Sequence, residues 1–228
     1  MIDTRNWDCG YKISRGDLCT TNMLYTPLIN PEKTIMCMLW NETHPYQKDN
    51  KRLTAELVNF FFEREIKYLT MFQGRLWCPK IIEIDMDNRK IFIEWNKESV
   101  NNIIFTEGRS LDQECPDWKE QIFAILNDIV TSGYYKMALY PHCFFIDTHG
   151  KVKTIDFYGC LSVQERYLER SKIEGMIGRE SGGRFDAVTD DNGMLDFEKF
   201  FKHTVKIHLA NAWPNNPFPE YYKRIYNE

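Results

Sequence analysis

Apolar and polar positions along this chain follow two spacings, and together these predict most of its elements. Residues 11–40 read as strand-rich. The run Thr34-Ile35-Met36-Cys37-Met38-Leu39-Trp40 follows a Pro31-Glu32 turn signal and is almost continuously apolar, as suits a strand covered on both faces. From Lys51 to Phe72 the spacing becomes helical, and Val58, Phe61, Phe62, Leu69 and Phe72 define one buried face. Glu65 falls on that face. A carboxylate there must find a donor or cation, shift its proton affinity, or snorkel out from the edge of the face.

Two hairpins follow. Ile81–Met86 and Lys90–Trp95 flank an Asp87-Asn88-Arg89 turn. Phe144–Asp147 and Lys151–Phe157 flank Thr148-His149-Gly150, where Gly150 supplies the positive φ of a tight turn. Between them, Pro116-Asp117 opens a helix that carries Trp118, Ile122, Ile125, Leu126 and Ile129 on one side and stops at Gly133. Further helices are expected at 165–176 and 196–210, separated by a Gly- and Asp-rich loop (178–193). Within that loop, Asp190-Asp191-Asn192-Gly193 lacks the remaining ligands of a calcium loop and reads as a solvated turn. The order of strands, helix, hairpin, helix, hairpin and helices predicts an α+β fold with two lobes.

Composition narrows the class. The chain has 228 residues, 43% hydrophobic and 27% charged, which excludes disorder for its bulk. A net charge of -4 argues against a dedicated nucleic-acid binder, though a local basic patch is compatible with it. No apolar run approaches a membrane span; the best, Leu57–Phe62, is broken by Asn59. The first ten residues carry Asp3 and Asp8 with no apolar core, so no signal peptide is expected. Seven scattered cysteines without a CxxC pair fit reduced thiols, and a cytoplasmic location follows as the expectation. The five histidines lack zinc-ligand spacing along the sequence. Trp213, Phe218, Tyr221, Tyr222 and Tyr226 crowd a short tail, where they would staple the C-terminus onto the body or form a partner surface.

The stretch Leu139-Tyr140-Pro141-His142-Cys143-Phe144-Phe145-Ile146-Asp147 with Ile155-Asp156-Phe157-Tyr158-Gly159 resembles the centre of the protein-kinase-like fold. There a catalytic loop enters a hairpin whose far end carries the metal-binding Asp of an Asp-Phe-Gly motif. Asp156-Phe157-Tyr158 sits at that motif, with glycine one residue late. Arg64-Glu65-Ile66-Lys67-Tyr68-Leu69 looks like the helix whose glutamate pairs with the ATP-contacting lysine. Ile91-Phe92-Ile93-Glu94-Trp95-Asn96 looks like the strand that leads to the adenine-contacting hinge. The likeness covers about residues 30–160 and extends to uncharacterised kinase-like proteins of marine phages and plankton. It implies a bilobal fold, with a small strand-rich N-lobe (1–97) and a shortened helical C-lobe (98–228) forming one unit. It also implies ATP and Mg2+ as cofactors, with Met38, Glu65, Glu94, Trp95 and Cys143 around the nucleotide and Asp156 on the metal.

The departures from the family pattern carry equal weight. Met38 stands where the phosphate-contacting lysine is expected, and no Gly-rich loop precedes its strand. Spacing back from Asp156 by the family's D-x4-N-x12-D pattern gives Cys143 for the metal-binding Asn and Ala138 for the catalytic Asp, with Lys136 and Met137 before it. Methionine cannot neutralise phosphate, and alanine cannot accept a proton. Lys33, Lys48 or Lys51 could approach Glu65 from another direction, while Lys136, His142 and Asp147 lie near the altered loop. His142 beside Cys143 raises a thiol-nucleophile reading, but neighbours in a strand-like run point to opposite sides, which counts against a working pair. Asp156 has a structural alternative as a turn-capping carboxylate.

Three functions remain. The first is a degenerate kinase-like module that binds a nucleotide or a protein partner, with weak or absent phosphotransfer. The second is an ATP-dependent phosphotransferase acting on a small metabolite or sugar through Asp156 and His142. The third is an interaction scaffold that binds no nucleotide.

Overall fold

The computed structural model describes residues 7–15, 20–27, 34–40, 55–95, 98–136, 139–162 and 213; for 7–15, 20–27, 57 and 161 it describes the backbone alone. In chain order come β1 (Trp7–Arg15), β2 (Thr20–Pro27), β3 (Ile35–Trp40), α1 (Ala55–Met71), β4 (Ile81–Asp85), β5 (Lys90–Glu94) and β6 (Glu98–Ser99). A π-helical turn (Asn102–Thr106) leads to α2 (Leu111–Glu114), α3 (Trp118–Thr131) and β7 (Tyr134–Tyr135). A 3-10 turn (Pro141–Cys143), β8 (Phe144–Ile146), β9 (Val152–Thr154) and β10 (Leu161–Ser162) complete the order. The protein is α+β, with its strands in small antiparallel sheets.

The main sheet runs β1-β2-β3-β5-β4. Its third strand is central, so its backbone pairs on both sides, with Met38 opposite Asn22 and Ile91. The apolar run of β3 is buried as expected: Met36, Met38 and Trp40 join the core beside Phe61 and Phe62, and Cys37 is fully buried as well. α1 presents the predicted face, with Val58, Phe61, Phe62 and Leu69, and Phe72 just beyond its end, all at most 2% exposed. Each such burial stabilises the fold by about 1.5–3 kcal/mol. The beginning expected for this helix, 51–54, lies outside the described residues.

Both hairpins form with turn chemistry local to them. The Asp85 carboxylate accepts the Asn88 backbone N–H (3.1 Å) and the Asn88 side-chain amide (2.8 Å), and Arg89 takes φ +52°. Those bonds hold the Asp85 carboxyl below its usual range. In the second hairpin Asp147 Oδ1 accepts the N–H groups of His149 (2.8 Å) and Lys151 (3.0 Å), while Gly150 adopts φ +70°. Asp147 is thus committed to its own turn.

α3 follows its expected pattern: Trp118, Ile122, Ile125, Leu126 and Ile129 are buried and Gly133 takes φ +86° beyond its end. Gln121 ties this helix to the second hairpin, donating to the Gly150 carbonyl (3.0 Å) and accepting the Val152 N–H (2.9 Å). β6 opens a second sheet, β6-β8-β9, and Arg109 bonds Glu98, Glu107 and Glu114 to hold β6 against α2. Trp213 is buried, stacked on Trp118 at 5.5 Å and 9°, with its indole N–H on the Leu139 carbonyl at 2.5 Å. The expected helices at 165–176 and 196–210, the 178–193 loop and the other tail aromatics lie outside the described residues.

Candidate functional site

The segment that leaves β9 carries the site. Ile155–Cys160 is buried throughout, and at its start Asp156 holds φ +63°, a left-handed conformation that costs a non-glycine residue about 1–2 kcal/mol. Three side chains from distant parts of the chain hold this segment in place. Arg64, on α1, donates from Nε to the Tyr158 carbonyl (2.9 Å) and from Nη2 to the Cys160 carbonyl. Its neighbour Glu65, fully buried, accepts the Tyr158 N–H on Oε2 at 2.6 Å. Lys136, also fully buried, donates from Nζ to the carbonyls of Ile155 (2.5 Å) and Asp156 (3.0 Å) and lies over the Phe157 ring at 4.8 Å.

The fate of Glu65 follows from that geometry. Burial removes water from the carboxylate, and the negative charge of Asp156 adds to the penalty. Both outweigh the opposing Lys136 charge and the N–H donors of Tyr158 and Phe157, so its carboxyl is pushed up to about 8. Glu65 Oε1 is buried without a hydrogen-bond partner among the described residues. Glu65 is therefore not snorkelling: it is an interior acid turned toward the Asp156 segment.

On the other side of Asp156 lies the 3-10 turn. The structure departs here from the strand-like geometry expected around His142 and Cys143. In a 3-10 turn consecutive side chains are about 120° apart rather than opposed. His142, Cys143 and Asp156 consequently each bring a ligand atom within 4.8 Å of the other two. Cys143 is fixed by its backbone: its N–H bonds the Tyr140 carbonyl (2.9 Å), and its own carbonyl accepts the Ile155 N–H (3.0 Å) and the Thr154 hydroxyl (2.9 Å). Burial pushes the Cys143 thiol up to about 12, against the lowering influence of His142. The thiol is therefore protonated at neutral pH, and a ready-made thiolate nucleophile is absent from this pair.

The remaining expected positions are less convergent. Met38 is fully buried in the core on β3. Glu94 is half-buried, with its backbone N–H on the Lys80 carbonyl (2.9 Å), and the Trp95 N–H bonds the Thr34 carbonyl (3.3 Å). The Trp95 ring packs on Phe145 at 4.1 Å, and its indole N–H is buried without a partner among the described residues. Met137, Ala138, Lys33, Lys48 and Lys51 lie outside the described residues. Arg64 holds the Asp156 segment although the motif pattern assigns it no role. Its position one residue before Glu65 on an apolar face was the available signal, since a buried guanidinium must find several acceptors.

The donor set around Asp156 does not fit the Mg2+ of the family pattern. Mg2+ requires an octahedron of hard oxygen ligands, whereas the two groups beside this carboxylate are a sulfur and an imidazole nitrogen.

No family model matches this chain, and no curated protein matches it. Among solved structures it is similar to monomeric WbdD, at 15% identity and TM-score 0.46 over 67% of this chain and 34% of that one. A structure of WbdD described as a bifunctional kinase-methyltransferase gives 17% identity and TM-score 0.45 over 62% and 30%. A further WbdD crystal structure gives 15% and 0.48 over 70% and 33%. The chain thus spans about a third of the length of the structures it matches.

Proposed function

We propose that this chain is a degenerate kinase-like protein, a nucleotide- or partner-binding module with weak or absent phosphotransfer. The observation that carries the reading is the junction of α1 with the Asp156 segment. Glu65, on the helix after the third strand, reaches the backbone beside Asp156, while the third strand opposite offers Met38. In kinases that strand supplies a lysine, and the helix glutamate pairs with it. Here the charge acting on Glu65 comes instead from Lys136, from the altered catalytic loop. The same reading divides the chain into an N-lobe over 1–97 and a C-lobe over 98–228, with ATP between them near Met38, Glu65, Glu94, Trp95 and Cys143.

Loss of a positioned general base costs about 10²–10⁴-fold, and loss of one charge-stabilising group about 10²–10³-fold. Methionine and alanine at the lysine and aspartate positions therefore predict negligible transfer. The test is a phosphotransfer assay with ATP and Mg2+ or Mn2+ against protein, sugar and small-metabolite acceptors, run beside nucleotide calorimetry. Nucleotide binding without turnover supports the reading. Turnover that disappears in Asp156→Ala overturns it in favour of an ATP-dependent phosphotransferase acting on a small acceptor. That alternative draws on the retained Glu65 and Asp156. Absence of nucleotide binding together with a stable protein complex assigns the chain to the interaction scaffolds.

A further inference from the structure

We infer that His142, Cys143 and Asp156 form a binding site for one borderline-soft divalent cation of the Zn2+ and Co2+ class. The inference stands on the geometry of these three residues and not on the kinase-like reading.

The three ligand atoms are a nitrogen, a sulfur and a carboxylate oxygen, all within 4.8 Å of one another. Around a tetrahedral zinc, bonds of about 2.0–2.3 Å place such ligands roughly 3.5 Å apart, so the widest pair closes by at most about 1.3 Å. Side-chain rotation of His142 and Cys143 supplies that movement, while the main chains of Cys143 and Asp156 stay in place. The Cys143 carbonyl is bonded to Ile155 and Thr154, and Lys136 grips the carbonyls of Ile155 and Asp156. The Tyr140 ring lies flat on His142, at 5.1 Å and 10°.

Donor chemistry then selects the ion. Thiolate and imidazole favour Zn2+, Co2+ and related ions over Mg2+ and Ca2+, which prefer oxygen ligands. Cys143 and Asp156 are 0% and 2% exposed, so an ion here is shielded from water on their side. As the metal–sulfur bond forms, sulfur supplies both electrons and the thiol proton leaves to solvent; nothing is oxidised or reduced. Three protein ligands among the described residues leave a position for water or an oxygen of a bound molecule, the pattern of an open rather than a closed zinc site.

The experiment titrates the reduced full chain with Co2+ in the absence of oxygen. The expected result is a near-ultraviolet sulfur-to-cobalt charge-transfer band that saturates at one equivalent, is displaced by Zn2+ and is unaffected by excess Mg2+. Cys143→Ser removes the band, and His142→Gln and Asp156→Asn each weaken cobalt binding by at least about tenfold. Circular dichroism of each metal-free variant checks its fold. His142 is the most exposed of the three, so His142→Gln carries the test if Cys143→Ser misfolds. No band, or a band of full strength and affinity in His142→Gln, overturns the inference. Turnover with ATP would overturn the degenerate-kinase reading while leaving the cobalt result intact, so the two failures are distinguishable.

Discussion

At the scale of single residues, Glu65 offers the clearest physical test. Its side chain is fully buried and its carboxyl is raised from 4.5 to about 8 by burial and then by the Asp156 charge. Folding therefore takes up a proton between those values. The resulting stabilisation is complete below pH 4.5 and is lost as pH rises through about 8. Within that window the slope reaches up to about 1.4 kcal/mol per pH unit. Glu65→Gln keeps an oxygen for the Tyr158 N–H but cannot ionise. Calorimetric melts from pH 5 to 8.5 should show wild type losing stability more steeply than the variant, with the gap closing at the acid end. Parallel curves would mean that Glu65 does not titrate there. The sequence exposed half of this: periodicity put Glu65 on an apolar face. Its partner is a backbone N–H 93 positions away, which no local pattern encodes. The same limit applies to His142 and Cys143. They stand in a strand-like run, and a three-residue turn is too short to announce itself against that background.

At the scale of elements, legibility followed length. α1, α3 and both hairpins were readable because each repeats its period or carries its own turn chemistry. β6, β7 and β10 are two residues long, and two residues contain no period. They exist because longer elements bring them together: Glu98 meets Ile146, and Tyr135 meets Leu161. The second hairpin shows how much a turn residue can decide. Gly150 has φ +70°, and a Cβ built there meets nothing within 4 Å. Gly150→Ala therefore introduces no clash and isolates the backbone term, about 1–2 kcal/mol for a left-handed alanine. Urea unfolding of this variant should show that loss with an unchanged slope. A neutral result would mean that the turn relaxes to another conformation, and the Asp147 bonds to His149 and Lys151 would then have to rearrange with it.

At the scale of the whole molecule, the question is whether the two halves divided at residue 97 are separate units. Their connections are interior rather than superficial. Arg64 and Glu65 of the first half hold Tyr158 and Cys160 of the second. The Trp77 carbonyl accepts the Thr154 N–H (3.1 Å), its indole donates to Asp128 (2.8 Å), and Trp95 packs on Phe145. One continuous apolar cluster runs from Met36 on β3 to Trp213. A fragment of residues 1–97 would leave Arg64 and Glu65 without the partners that justify their burial, and each stranded buried group costs about 1–3 kcal/mol or more. Against a total stability of about 5–15 kcal/mol, losses of that size together with the divided core exceed what either half can carry. Chemical unfolding of the full chain should therefore be a single transition, with the same midpoint by far-ultraviolet dichroism and by tryptophan fluorescence. The fragments 1–97 and 98–228, made separately, should show no cooperative transition. Two resolved transitions, or a fragment that melts cooperatively, would show that the contacts at Tyr158 and Cys160 join two independent folds. In that case Glu65 would owe its burial to local packing of α1 rather than to the site it faces.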